Sequence, residues 1–96
     1  MIKTLKGKWA KKIWARNPSK QMLAIYEEAL ESLDLLDAIT NWKDFAKIPG
    51  INLHPLHGNR EGQWAFWIGK TKYRVCFIWG KDNHAYQVEI IDYHKN

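Results

Sequence analysis

Tyr73-Arg74-Val75-Cys76-Phe77-Ile78-Trp79 alternates with a period of two, with Tyr73, Val75, Phe77 and Trp79 on one face and Arg74, Cys76 and Ile78 on the other. β-branched and aromatic residues in that pattern predict a strand with two differently covered sides. Turn residues bound it: Gly69-Lys70-Thr71 before and Gly80-Lys81-Asp82-Asn83 after. A second alternating stretch, Gln63 to Ile68, puts Trp64, Phe66 and Ile68 on one side. A third runs from Ala85 to Ile91 and passes into Asp92-Tyr93-His94. Upstream, Asn52 to Leu56 is a short extended piece in which Pro55 marks an edge or a strand end. Gly58 to Gly62 is a loop.

Before Gly50 the period changes. Met22, Ile25, Tyr26, Ala29, Leu30, Leu33 and Leu36 recur three and four apart, with acids on much of the other side, which predicts an amphipathic helix. Asn17-Pro18 reads as its start, with Asn17 capping. Leu5, Trp9, Ile13 and Trp14 recur at helical intervals with lysines between them, after a short strand over Met1 to Thr4. Thr40 to Lys47 reads as a short helix or irregular turn, ended by Pro49-Gly50. The expected fold is α+β: an N-terminal strand and two helices packed on a mostly antiparallel C-terminal sheet. No repeat or linker divides residues 1–96, which read as one domain.

The net charge is +5, and the charges separate along the chain. Lys3, Lys6, Lys8, Lys11, Lys12, Arg16 and Lys20 fall in a segment without acids, and Glu27, Glu28, Glu31, Asp34, Asp37 and Asp44 cluster in the next. A basic surface attracts polyanions without specific contacts, although charge alone raises the odds of a nucleic-acid partner only modestly. Most of the six Trp, four Tyr and three Phe are expected in the core. The single Cys76 excludes an internal disulfide and a thiolate metal cluster, and its apolar setting suits an inert buried thiol. No stretch is apolar enough for a membrane span or a signal peptide, so the cytoplasm is the expected location.

His54, His57, Arg74, Asp92, Tyr93 and His94 all lie in the β-rich half. Metal-free RNA cleavage needs a base for the 2′-hydroxyl proton, an acid for the leaving 5′-oxygen and cations for the phosphorane charge. Histidine suits proton transfer and arginine suits the charge. Arg74 in an apolar strand needs a function or a partner, such as Glu89 or Asp92 across the sheet. A metal site from His54, His57, His94 and Asp92 matches no recognised zinc spacing, so neither metal nor cofactor is expected. Each histidine taken alone is more often a solvated or hydrogen-bonded surface residue.

Three ordered motifs resemble a known family. Leu53-His54-Pro55-Leu56-His57-Gly58-Asn59-Arg60-Glu61-Gly62-Gln63-Trp64 resembles its "L-H-P-L-K-G-x-R-x-G-x-W" segment. Tyr73-Arg74-Val75-Cys76-Phe77 resembles its "W-R-I-x-F" strand, and Asp92-Tyr93-His94 its closing "D-Y-H". The family is the HigB branch of the RelE toxins, and the likeness covers about half of the chain. It implies a microbial-RNase-like fold and ribosome-dependent mRNA cleavage by 2′-hydroxyl attack. It also implies a HigA-like helix-turn-helix antitoxin, with operator DNA bound only through the joint complex.

Carried over, the family's active-site histidine falls on His54 and its phosphate-clamping arginine on Arg74. Direct proton transfer falls on His94, base stacking on Tyr93, and orientation or proton acceptance on Asp92. His57 stands where the family has Lys, so a clamp there would be titratable, with activity rising as pH falls from about 8 toward about 6. Lys6, Lys8, Lys11, Lys12, Arg16 and Lys20 would grip ribosomal RNA, although each alone reads more simply as a solvated residue. Two other classes compete: a non-catalytic basic module that binds antitoxin and nucleic acid, and a membrane-active Lys- and Trp-rich start.

Overall fold

The computed structural model describes residues 1–93 of the chain. The alternation centred on Tyr73–Trp79 becomes strand β3, the third of four antiparallel strands in the order β1-β2-β3-β4. Strand β1 is His54–Pro55, β2 is Trp64–Trp67 and β4 is Ala85–Asp92. Three helices complete an α+β arrangement: α1 over Lys8–Trp14, α2 over Tyr26–Ala38 and α3 over Trp42–Ala46.

The register follows from the two turns. Trp64 faces Phe77 and Phe66 faces Val75 across β2 and β3, while Val75 faces Ile90 across β3 and β4. Directly opposed residues share a face, so these rings and branched chains form one continuous apolar side. Ala10 and Ile13 of α1, Ala29, Leu33 and Leu36 of α2 and Phe45 of α3 are fully buried against it. Phe45 meets Phe66 edge-on at 4.9 Å and also stands near Phe77 and Trp79. Edge-to-face rings at such distances add to the burial of their own area.

The first 25 residues differ from the sequence expectation. Residues 1–6 make no regular strand. They lie beside β4 through two parallel bridges, Ile2 with Ala85 and Leu5 with Val88. Between them Gln87 bulges at φ 51°, and its N–H reaches the Thr4 hydroxyl. Gly7, at φ 77°, turns the chain out of this edge, so the helix begins at Lys8 rather than at Leu5.

Asn17-Pro18 closes α1 instead of starting the next helix. Arg16 takes the left-handed conformation at φ 60°, its N–H donates to the Ile13 carbonyl and the Asn17 N–H donates to the Lys12 carbonyl. That is the Schellman pattern, after which Pro cannot continue the helix. The second apolar stretch then opens as a 3-10 helix over Lys20–Ile25 before α2. Asn41 caps α3, accepting from the Lys43 N–H at 2.9 Å. No helix among the described residues is long and apolar enough to cross a membrane.

Candidate functional site

Helices cover one side of the sheet. The other side carries the second set of alternating residues in two neighbouring rows. One row is His54, Ala65, Cys76 and Glu89, and the next is Trp67, Arg74 and Ile91.

Arg74 is the centre of the second row. Its Cζ lies 5.0 Å from the ring centroid of Trp67 and 5.1 Å from that of Tyr93. One Nη donates to the Thr71 carbonyl at 2.7 Å and to the Tyr73 carbonyl at 2.8 Å. Its Nε is buried and meets no acceptor among the described residues. The guanidinium is thus held flat by backbone oxygens between two aromatic faces, which compensates its charge without a carboxylate. Trp67 is 39% exposed and Tyr93 52% exposed, so both rings present surface to a ligand.

The carboxylates that the sequence offered as partners for Arg74 are engaged elsewhere. Glu89 takes Arg60 at 2.8 Å, and the same Arg60 nitrogen also donates to the Gln63 amide oxygen. Asp92 is 6% exposed, sits opposite Tyr73 in the register and meets Lys72 at 3.3 Å. Tyr73 packs edge-on against Trp9 of α1, which places Asp92 on the helix-bearing side. Asp92 and Arg74 therefore do not share a face, whereas Tyr93 and Arg74 do.

His54 lies on the open face in the row beside Arg74. Its Nδ1 bonds the Asn52 carbonyl at 2.7 Å, which requires the proton on Nδ1 and leaves Nε2 available to a ligand. His57 is exposed at the start of the short 3-10 turn Gly58–Arg60, and no hydrogen bond or ion pair of its ring occurs among the described residues. His94 lies outside the described residues. Among those residues no three His, Cys, Asp or Glu side chains gather as a metal site requires.

Cys76 is fully buried beneath the Arg60–Glu89 pair, and burial pushes its thiol up to about 11. It is an inert thiol at neutral pH. The Glu89 carboxylate in turn raises the Arg60 guanidinium above its ordinary value, chiefly through their hydrogen bond.

Lys6, Lys8, Lys11, Lys12, Arg16 and Lys20 are all exposed. Arg16 has side-chain partners among the described residues: it bonds the Trp14 carbonyl, lies over the Trp14 ring and reaches Asp34 at 3.7 Å. Sequence reasoning missed Trp67 and Arg60 as parts of this face, and Lys72 as the partner of Asp92 on the other. The signal for Trp67 was present, because counting outward from the Gly69–Lys72 turn pairs Trp67 with Arg74. The ion pairs carried no such signal, since they join residues from loops. No protein-family model matches the chain, and no curated protein matches it either.

Proposed function

We propose that the protein is the toxin of a type II toxin–antitoxin pair of the HigB kind, a cytoplasmic ribosome-dependent endoribonuclease with a RelE-like fold. The observation that carries this reading is Arg74 clasped between Trp67 and Tyr93 on the helix-free face, with His54 in the neighbouring row. A cation flanked by exposed rings suits single-stranded RNA, where bases stack on aromatic faces and phosphates seek cations. The exposed lysines of residues 6–20 suit a large polyanion such as ribosomal RNA. Its antitoxin would be a HigA-like helix-turn-helix protein that brings the pair to operator DNA.

In the reaction, the 2′-oxygen attacks the adjacent phosphorus and the P–O5′ bond breaks, leaving a 2′,3′-cyclic phosphate and a 5′-hydroxyl. A base takes the 2′-hydroxyl proton and an acid delivers one to the departing 5′-oxygen. His54, with Nε2 open, and His94 are the residues suited to those transfers. Arg74 and His57 would meet the phosphorane charge.

A second reading has its own support. The hydrogen bonds of Arg74 to two carbonyls and the loss of the family's Lys at His57 both favour a non-catalytic module that binds antitoxin and nucleic acid. Inducing the wild-type gene and the His94→Ala and Arg74→Ala variants in a bacterial culture, with mapping of mRNA 5′ ends, separates the two. Growth arrest with new mRNA ends from the wild type alone supports the nuclease. Equal behaviour of all three, without new ends, rejects it in favour of the binding module.

A further inference from the structure

A cleft of about 340 Å³ opens between α2 and the segment before β1, lined in part by Glu28, Glu31, Leu35, Pro49, Ile51 and Trp67. Its walls are of two kinds. Leu35, Pro49 and Ile51 are apolar, and Trp67 borders the cleft beside them. Glu28 and Glu31 supply carboxylates, and among the described residues no cationic side chain lines the cleft. The backbone N–H of Trp67 donates to the Ile51 carbonyl at 2.8 Å, which fixes the spacing between the two. A methyl on Gly69 would lie 2.5 Å from Glu28 Oε2, so that carboxylate reaches the chain two residues beyond Trp67. Trp67, whose indole carries the Arg74 guanidinium, thus also borders this cleft.

A ligand for such a space is flat and apolar on its faces, carries N–H donors on its edge, and has no negative charge where it enters. An amino-bearing nucleobase meets all three conditions, because carboxylates accept from exocyclic amines. Uracil lacks that amine, and its single edge N–H is flanked by two carbonyl oxygens that a carboxylate repels. The phosphate of the same nucleotide would be repelled by Glu28 and Glu31 and drawn to the Arg74 side of Trp67.

We propose that this cleft receives one unstacked adenine, cytosine or guanine of an RNA strand whose phosphate lies on the Arg74 side of Trp67. The inference rests on the RNA-binding reading of the open face and adds a base preference to it.

The test titrates the full-length, isotope-labelled chain with millimolar RNA pentanucleotides of sequence UUXUU, where X is A, C, G or U, and follows nuclear magnetic resonance shifts. The Trp67 indole signal is assigned with Trp67→Phe. The expected result is a shift of Trp67 and of the Leu35 and Ile51 methyls with X = A, C or G. Binding of those three should exceed that of the all-U strand by about five- to tenfold, the size of one charge-assisted hydrogen bond. The double variant Glu28→Ala/Glu31→Ala should bring all four strands within about twofold of one another.

Equal shifts with all four strands in the wild type would overturn the cleft proposal and leave the RNA reading standing. So would a response at the Arg74 side chain and Tyr93 with none at the cleft methyls. No response anywhere would count against both. A response of Trp67 to an arginine-rich peptide and to none of the RNAs would assign the cleft to a protein partner and overturn the proposal.

Discussion

The two faces of the sheet are made from alternate residues of the same strands, and they are stabilised by different means. On the helix side Phe66, Val75, Phe77 and Ile90 are buried beneath Phe45 and the helices, and stability there comes from area removed from water and from close packing. On the open side Cys76 is buried just as deeply, but under a charged pair, Arg60–Glu89, and Arg74 beside it is set against two rings. A side chain's burial is thus no guide to what covers it. Removing an apolar residue from the first face leaves a void. Removing a charge from the second leaves its partner unpaired.

The largest expected effect lies on the helix side. Phe45→Ala should destabilise the protein by about 3–5 kcal/mol in denaturant unfolding, because the ring is fully buried among Phe66, Phe77 and Trp79. A loss under about 1 kcal/mol would show that the cavity collapses and that the core is not close-packed there.

Next comes the thiol under the charged cover. Its folded value is raised from 9.0 to about 11, so folding favours the protonated form. That contribution is complete below about pH 9 and is lost as pH rises through about 11, amounting to roughly 2–3 kcal/mol. The alkaline fall in stability should be shallower for Cys76→Val than for the wild type. Parallel curves would mean that water reaches the thiol in the native state.

Breaking the cover itself should cost somewhat less. Arg60→Ala leaves the Glu89 carboxylate, with a side chain only 14% exposed, without its partner, and a loss of about 1–3 kcal/mol is expected. Adding Glu89→Ala should recover part of it, so that the double variant loses less than the sum of the two single ones. Strict additivity would show that the pair contributes nothing as a pair. The smallest effect belongs to Arg16 and Asp34, a pair with side chains 54% and 53% exposed. Charge removal at Asp34 should change stability by less than about 0.5 kcal/mol.

This contrast also sets how much was legible beforehand. The alternation of Tyr73–Trp79 and its neighbours specified the strands and the apolar face, because period-two patterning and turn residues are local signals. The end of α1 was misread at Asn17-Pro18, where a capping residue before proline serves equally well as a stop and as a start. On the open face, Tyr93 and Arg74 were picked out and do meet, and His54 lies in the row beside them. The partners of Glu89 and Asp92 were not foreseen, since Arg60 and Lys72 reach them from loops whose path no periodicity describes. Asp92 illustrates the limit well: next to Tyr93 in sequence, it stands on the other side of the sheet.

The strand-like pairing of residues 1–6 with β4 carries a consequence for how the protein is made. Lys3 and Lys6 donate to Ala85 and Val88, while Ala85 and Val88 return bonds to Met1 and Thr4, so one edge of the sheet joins stretches about eighty residues apart. During synthesis residues 1–6 must wait, unpaired, until β4 follows them out of the ribosome. Helices and the first hairpin can form meanwhile, but the hydrogen bonds of this edge close only once residues 85–88 have emerged.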